Sequence, residues 1–358
     1  MSRFLAAAAA FAMSMTIASS APAAQLTLDR IFGSPALSGI APRAVKLSPD
    51  GTLATLLRNR PDDRDRYDLW AIDTTSGKAR MLVDSAKLGS GAALSEDEKM
   101  RRERARIGGT KGIVAYDWAP DGKSLLVPID GELLIARLDG STRRLAGTQG
   151  ALDARISAAG HYVSFVRDQN LHVIDLASGA DRALTHDGGS TVTWGSAEFV
   201  AQEEMGRTSG HWWAPDDKAV AIERYDEAQV PVVTRAAIGA QGTKLFAQRY
   251  PAAGTHNVAV QLWIVAADGG TRVQVDLGPD RDLYLARVTW APDGKTLYVQ
   301  RENRAQTQLA AIVSLGWRWR FSGPIFVGDR IQAAIRVTAC RRDTLSPRAR
   351  PAPSVRWR

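Results

Sequence analysis

WAPDGKSLLVPI, residues 118–129, decides the fold, because it joins a strand end to a Pro-Asp-Gly turn and then to an alternating apolar strand. Proline suits the first central position of such a turn and glycine supplies the positive φ that closes it, so the stretch predicts a β-hairpin. Variants of the pattern occur five times, at residues 47–57, 118–129, 156–166, 213–223 and 290–300.

A second repeated pattern follows most of these copies, at residues 68–82, 131–145, 170–184 and 261–275. In it a strand ends in an acidic or small residue, turns through Ser-Gly or Asp-Gly, and continues as a second strand of period two. Two hairpins make a four-stranded antiparallel sheet, and repetition of such sheets is typical of a β-propeller. The sequence therefore predicts an all-β propeller with about five blades, with an ordinary β-sandwich as the alternative.

The copies are unevenly spaced, so three insertions are expected, at residues 84–112, 197–211 and 224–254. The first contains the one convincing helix, with Ser95 as its N-cap, Glu98 completing a capping box and Gly108-Gly109 ending it. The helix is polar almost all round, which leaves four arginines free to meet an anion or a carbonyl group, namely Arg101, Arg102, Arg104 and Arg106. The third insertion predicts a long hairpin that extends a blade.

The second insertion contains two adjacent acids, Glu203 and Glu204, between tryptophan-bearing strands. Two ionised carboxylates at this spacing repel each other by about 1 kcal/mol or more, so a loop that keeps them together suggests a cation to be bound. A substrate ammonium group would fit. The alternative is that they are two solvated acids of a surface loop.

The two ends of the chain differ from the rest. Arg3, the apolar run 4–17 and the sequence Ala21-Pro22-Ala23 predict a secretory signal peptide over residues 1–24, cleaved near Ala23, and hence a periplasmic or secreted protein. The pattern stops at Leu309, where the expected second hairpin does not follow. Residues 310–358 contain ten arginines, no lysine and two aspartates, so their formal charge is +8. The whole chain also has a formal net charge of +8, so the charges of residues 1–309 sum to zero. An out-of-frame or disordered tail explains this composition, and a nucleic-acid-binding tail is the alternative.

The sequence offers no catalytic machinery of its own. It contains no G-x-S-x-G nucleophile elbow and no phosphate-binding glycine loop, and the single cysteine, Cys340, lies in the tail. The five histidines lack the spacing of a zinc site, so neither a metal nor a cofactor is expected: His161, His172, His186, His211 and His256. Because residues 1–309 carry no net charge, no nucleic-acid partner is expected. No stretch within residues 25–358 is long and apolar enough to cross a membrane.

Three segments carry a resemblance to a known family: EKMRRERARIGG at 98–109, AEFVAQEEMGR with HWWAPDD at 197–217, and QRYPAAGTHNVAVQL at 248–262. Over roughly residues 29–308 the chain resembles the propeller part of the dipeptidyl peptidase IV branch of the prolyl oligopeptidase family. That resemblance implies an eight-bladed propeller joined to an α/β-hydrolase domain with Ser, Asp and His. It also implies release of Xaa-Pro or Xaa-Ala dipeptides from peptide N-termini by a homodimer.

By the same resemblance, Glu203 and Glu204 match the glutamates that bind the substrate α-ammonium group, and Arg106, with Arg104 as the alternative, matches the arginine that reaches a substrate carbonyl. Residues 25–309 are thus expected to form part of the propeller, about five of eight blades, which binds peptide N-termini and gates access. The hydrolase domain is expected to be absent and the chain alone inactive. The alternative function is a TolB-like periplasmic propeller that binds proteins.

Overall fold

The computed structural model describes residues 26–89, 91–239, 242–315, 318–320 and 324–326. The expected signal peptide, residues 1–24, lies outside the described residues, as do 327–358 of the expected tail. No helix in the described part is long and apolar enough to span a bilayer.

The chain begins with a short helix, α1 (Leu28–Phe32), and then forms sheets in sequence order. The first sheet contains β1 (Arg43–Leu47), β2 (Leu53–Asn59), β3 (Arg66–Asp73) and β4 (Ala79–Val83). Helices α2 (Ser85–Leu88) and α3 (Glu96–Arg104) follow, before β5 (Lys111–Gly112) pairs in parallel with β3. The second sheet contains β6 (Asp117–Trp118), β7 (Ser124–Ile129), β8 (Glu132–Arg137) and β9 (Thr142–Arg144).

The third sheet contains β10 (Leu152–Ile156), β11 (Tyr162–Arg167), β12 (Asn170–Asp175) and β13 (Asp181–Ala183). The fourth contains β14 (Val192–Trp194), β15 (His211–Trp213), β16 (Ala219–Asp226), β19 (Ala259–Ala266) and β20 (Val273–Gln274). Between these strands lie α4 (Phe199–Glu203) and a separate hairpin of β17 (Val232–Gly239) and β18 (Gly242–Arg249). The fifth contains β21 (Leu283–Trp290), β22 (Thr296–Asn303), β23 (Gln308–Leu315), β24 (Arg318–Arg320) and β25 (Pro324–Phe326).

Each of the five sheets is built on a path of four antiparallel strands, and each first hairpin is one of the five copies of the turn pattern. The all-β class and the count of about five blades are therefore confirmed. The buried side chains form separate cores between successive sheets; Leu126 and Phe165, for example, share the core between the second and third. Burial of both sheet faces against neighbouring sheets explains why inner strands such as β7 and β8 are apolar at most positions.

The tryptophan that opens several copies of the pattern connects neighbouring sheets. The indole N–H of Trp118 donates to the Thr55 hydroxyl at 2.9 Å, and that of Trp213 donates to the Ser164 hydroxyl at 2.9 Å. Trp118 lies on β6 and Trp213 on β15, and each bond reaches the second strand of the preceding sheet. The repeated residue thus supplies both a large apolar surface and one directed bond across each of these two interfaces.

Helix α3 confirms the helix expected after Ser95, whose hydroxyl accepts the N–H of Glu98 at 3.2 Å. It ends at Arg104, short of the glycines expected to end it. The buried carboxylate of Glu98 pairs with Arg101 at 3.0 Å and with Arg102 at 2.6 Å. Two of the four helix arginines are therefore used inside the helix, and the expectation that all four are free was wrong.

The long hairpin expected in the third insertion is confirmed by β17 and β18. At the other end, the repeat extends beyond Leu309, because β23 pairs with β22 along its length and buries Ala310 and Ile312. The backbone of β24 then pairs with β23, although the Ser-Gly turn is missing from the sequence. The expected end of the pattern at Leu309 therefore has to move to at least Leu315.

Candidate functional site

The glutamate pair lies on an excursion of the chain between β14 and β15, residues 195–210. Backbone hydrogen bonds close its base. The N–H of Gly195 donates to the backbone oxygen of Glu223 at 2.9 Å, and the N–H of Gly210 donates to the backbone oxygen of Gly195 at 3.1 Å. A Cβ at position 210 would lie 2.2 Å from the Ser196 carbonyl oxygen, so only glycine fits there. The excursion is thus anchored in the fourth sheet at both ends.

Within this excursion the expected loop contains a one-turn helix, α4. Glu198 is its N-cap, and its two carboxylate oxygens accept the N–H groups of Val200 at 2.5 Å and Ala201 at 2.8 Å. Glu203 is the last helical residue and Glu204 is the C-cap. Both side chains are exposed, and neither makes a hydrogen bond or an ion pair with any residue of the described ranges.

This position is electrostatically unfavourable for acids. The C-terminal end of a helix carries a partial negative charge, and the two carboxylates also repel each other. Another adjacent acid pair, Asp62 and Asp63, is different, because the Asp63 carboxylate lies 3.5 Å from both Arg66 and Lys111. The glutamate pair therefore presents uncompensated negative charge to solvent, and a cation with several N–H donors, such as an ammonium group, would relieve it.

Of the two candidate arginines, the structure brings Arg104 to α4. One of its terminal nitrogens donates to the Gln202 side-chain oxygen at 3.2 Å, and its guanidinium lies 4.9 Å from the centre of the Phe199 ring. The buried Nε of Arg104 has no hydrogen-bond partner among the described residues. Arg106 is exposed, has a φ of 56°, and contacts none of the described site residues through its side chain.

Beneath α4 lies a buried group of charges that sequence reasoning missed. Arg207, 7% exposed, forms two hydrogen bonds to Glu223, which is fully buried on β16. The same guanidinium donates to the backbone oxygens of Ser209 at 2.9 Å and Leu285 at 3.0 Å. Because Leu285 belongs to β21, this arginine connects the excursion to both the fourth and the fifth sheets.

Glu198 is the second carboxylate of this buried group. Burial, with Glu223 nearby, raises the pKa of Glu198 to about 7, although Arg207 opposes the shift. Burial also raises the pKa of Glu223 against the effect of Arg207, and burial lowers the pKa of His211. One guanidinium thus serves two carboxylates, and the one without a direct bond to it, Glu198, takes up a proton near neutral pH.

A sequence signal for this group does exist. In the strand sequence AVAIERY, Glu223 follows four consecutive apolar residues, and a buried acid at such a place requires a cation as partner. The sequence does not say which arginine is that partner. For Glu198 the signal is weaker, because glutamate is not among the preferred N-cap residues.

In the described part of the chain, this site coincides neither with a metal centre nor with a large cleft. Among the residues that the structure describes, no group of His, Cys, Asp and Glu side chains has the geometry to hold a metal ion. A cleft of about 740 Å³ lies between the second and third sheets and is lined by Lys123 and Arg143, among others, but by none of the expected site residues.

Comparison with known proteins agrees with this architecture. Residues 121–315 match the family model described as the dipeptidyl peptidase IV (DPP IV) N-terminal region. The chain is 27% identical over 308 residues to "Probable dipeptidyl-aminopeptidase B" of Uncinocarpus reesii, which covers 76% of this chain and 32% of that protein. It is 26% identical over 262 residues to dipeptidyl peptidase 8 of Mus musculus, and this match covers 61% of this chain and 29% of that protein.

Among solved structures, dipeptidyl peptidase 4 of Porphyromonas gingivalis superposes with a TM-score of 0.60 at 23% identity, covering 80% of this chain and 40% of that one. At this identity the likeness concerns the fold. The chain spans about a third of the length of the curated relatives it matches.

Proposed function

The chain belongs to the dipeptidyl peptidase IV N-terminal-region family, and from this premise we propose that Glu203 and Glu204 bind the α-ammonium group of a peptide N-terminus. The observation that carries the proposal is the pair of exposed carboxylates, without a partner among the described residues, at the C-terminal end of a helix anchored in the propeller. An α-ammonium group offers three N–H donors and a full positive charge, which two adjacent carboxylates can share.

Arg104 supports the same proposal from the facing insertion. Its guanidinium lies against α4 and gives only one hydrogen bond to the described residues, from one terminal nitrogen to Gln202, so its other terminal nitrogen can donate to the backbone carbonyl of a peptide bound at the glutamates. Arg104 takes this role in preference to Arg106. A peptide bound at both points has a fixed position and direction, so the site would determine how many residues extend beyond it.

In the whole protein, this site would set the length of the product. Binding of the terminal ammonium would place the second residue next to the hydrolytic centre of a serine peptidase, which would release Xaa-Pro or Xaa-Ala dipeptides. The 358 residues contain no G-x-S-x-G sequence. The activity proposed for this chain is therefore binding and positioning of a peptide N-terminus.

The glutamate pair can be tested with the peptide amide Ala-Pro-Ala-NH2 and its N-acetylated form, titrated into the 358-residue chain by calorimetry or ligand-observed NMR. We expect the free peptide to bind about tenfold or more tightly than the acetylated one, since a hydrogen bond to a charged group contributes about 1.5–3 kcal/mol. Glu203→Gln and Glu204→Gln should each remove most of this preference.

Asp62→Asn is the matched control, because it removes one acid of the adjacent pair Asp62-Asp63, between β2 and β3, and should leave the preference unchanged. Equal affinity of the wild-type chain for the free and acetylated peptides would refute the proposal.

Arg104 and Arg106 can be separated in the same titration. Arg104→Met should weaken binding of the free peptide by about tenfold, because it removes a charged donor while keeping the length of the side chain. Arg106→Met should change the affinity by less than about twofold, because its side chain is exposed and contacts none of the described site residues. The reverse order of effects would return the role to Arg106.

A further inference from the structure

Resting on the proposed function above, we propose that Glu198 is a positioning residue, which holds α4 and the glutamate pair in their binding geometry only while its carboxylate is ionised. Its side chain does not contact the peptide. It acts through the helix whose N-terminus it caps and whose C-terminus carries Glu203 and Glu204.

The capping geometry depends on ionisation. Each carboxylate oxygen of Glu198 accepts one backbone N–H, from Val200 and Ala201 respectively. A proton on either oxygen would leave only one good acceptor for two donors, so one N–H of α4 would lose its partner in a buried place. Because α4 is a single turn, it has few other internal bonds that could keep its C-terminal end in place.

The surroundings place the protonation of Glu198 in the neutral range. The charged and titratable groups that face Glu198 are Arg207, Glu223 and, on β21, Tyr284. Asp153 on β10 and His211 on β15 belong to the same buried group but lie further from Glu198. Arg207 is committed to Glu223 by two hydrogen bonds. His211 does not compete for the proton, since burial keeps its pKa low. Glu198 is therefore the member of the group that changes charge near pH 7.

Stability and binding should respond to pH in opposite directions. The pKa of Glu198 is higher in the folded chain than in the unfolded one, so folding favours its protonated form. Its contribution to stability is complete below the unfolded pKa, about 4.3, and is lost as the pH rises through about 7. Peptide binding, by contrast, requires the ionised cap and should strengthen as the pH rises.

The experiment measures the affinity of the whole 358-residue chain for Ala-Pro-Ala-NH2 between about pH 5.5 and about pH 7.5, where the peptide ammonium stays largely charged. The wild-type affinity should rise about fivefold over this range, as expected for the loss and recovery of an N-cap. Glu198→Gln, which resembles the protonated state, should bind weakly with a flat profile. Glu198→Asp should restore the rise, because aspartate is a good N-cap.

Thermal unfolding of the same variants separates positioning from structural damage. At about pH 7.5 Glu198→Gln should be at least as stable as the wild type, because it removes a buried charge, and yet bind the peptide less tightly. Glu132→Gln, remote on β8, should leave the pH profile unchanged.

A pH profile in Glu198→Gln that equals the wild-type profile would overturn this inference while leaving the proposed function intact. If the variant did not fold, a flat profile in Glu198→Asp would overturn it as well. Failure of the wild-type chain to prefer the free over the acetylated peptide at any pH would instead reject the proposed function.

Discussion

Replacement of Arg207 by methionine is expected to lower the free energy of unfolding by about 3–5 kcal/mol, because it leaves the buried Glu223 carboxylate without its cation. Glu223 is 0% exposed and receives two of the hydrogen bonds that the guanidinium makes. The same substitution removes the donors to the Ser209 and Leu285 backbone oxygens. The measurement is the midpoint of denaturant unfolding, followed by tryptophan fluorescence.

A double variant shows whether the unpaired charge causes this loss. Arg207→Met combined with Glu223→Met should recover most of the stability, since replacement of both members of a buried pair by apolar residues is often nearly neutral. Arg144→Met is the control, because its pairing with Glu132 lies at the surface, where such pairs contribute less than about 1 kcal/mol. A free energy of unfolding of Arg207→Met within about 1 kcal/mol of the wild-type value would contradict the prediction.

The second large effect is expected at Asp217, where the chain has an aspartate in place of the glycine of the Pro-Asp-Gly turn. Its carboxylate crosses to the third sheet, where it accepts the Ser157 hydroxyl at 2.6 Å and the N–H groups of Ala159 at 2.8 Å and His161 at 3.1 Å. The residue is 3% exposed and has a φ of 57°. Asp217→Gly should lower the free energy of unfolding by about 2–3 kcal/mol, because the buried Ser157 hydroxyl and two part-buried N–H groups lose a charged acceptor.

Glycine is the informative substitution because it accepts the positive φ without strain, so backbone strain in the variant does not add to the measured loss. Asp216→Ala is the matched control, since that carboxylate is 43% exposed and accepts only from Lys218 in its own turn. It should change the stability by less than about 0.5 kcal/mol. Equal effects of the two variants in denaturant unfolding would rule out a special role for Asp217.

Much of the fold could be predicted, because the turn chemistry is local. Pro-Asp-Gly and Ser-Gly turns between alternating apolar runs fix the hairpins, and α3 begins where Ser95 can accept the N–H of Glu98. The end of the repeat was harder to place. Beyond Leu309 the turn residues change, although the apolar alternation that buries Ala310 and Ile312 continues, and pairing with β22 then decides the structure.

The site was predictable only in part. The adjacency of Glu203 and Glu204 is a covalent fact, and the repulsion between them follows from it. That their loop contains a helix, and that Glu198 caps it, depends on the buried carboxylate having Arg207 and Glu223 nearby. No local rule predicts a glutamate at an N-cap, because its longer side chain competes poorly there unless its surroundings fix it.

The sequence by itself therefore determined the repeated hairpins, the charged helix and the uncompensated pair of acids, since each arises from residues close together in the chain. Only the tertiary structure decided that Arg104, and not Arg106, meets α4. The helix α3 ends at Arg104, and Arg106 lies beyond the C-cap Ala105 with a φ of 56°, so the helix fixes the direction of Arg104 only. The partner of Glu223 was likewise decided by the sheet, because β16 and the closed base of the excursion bring Arg207 to it.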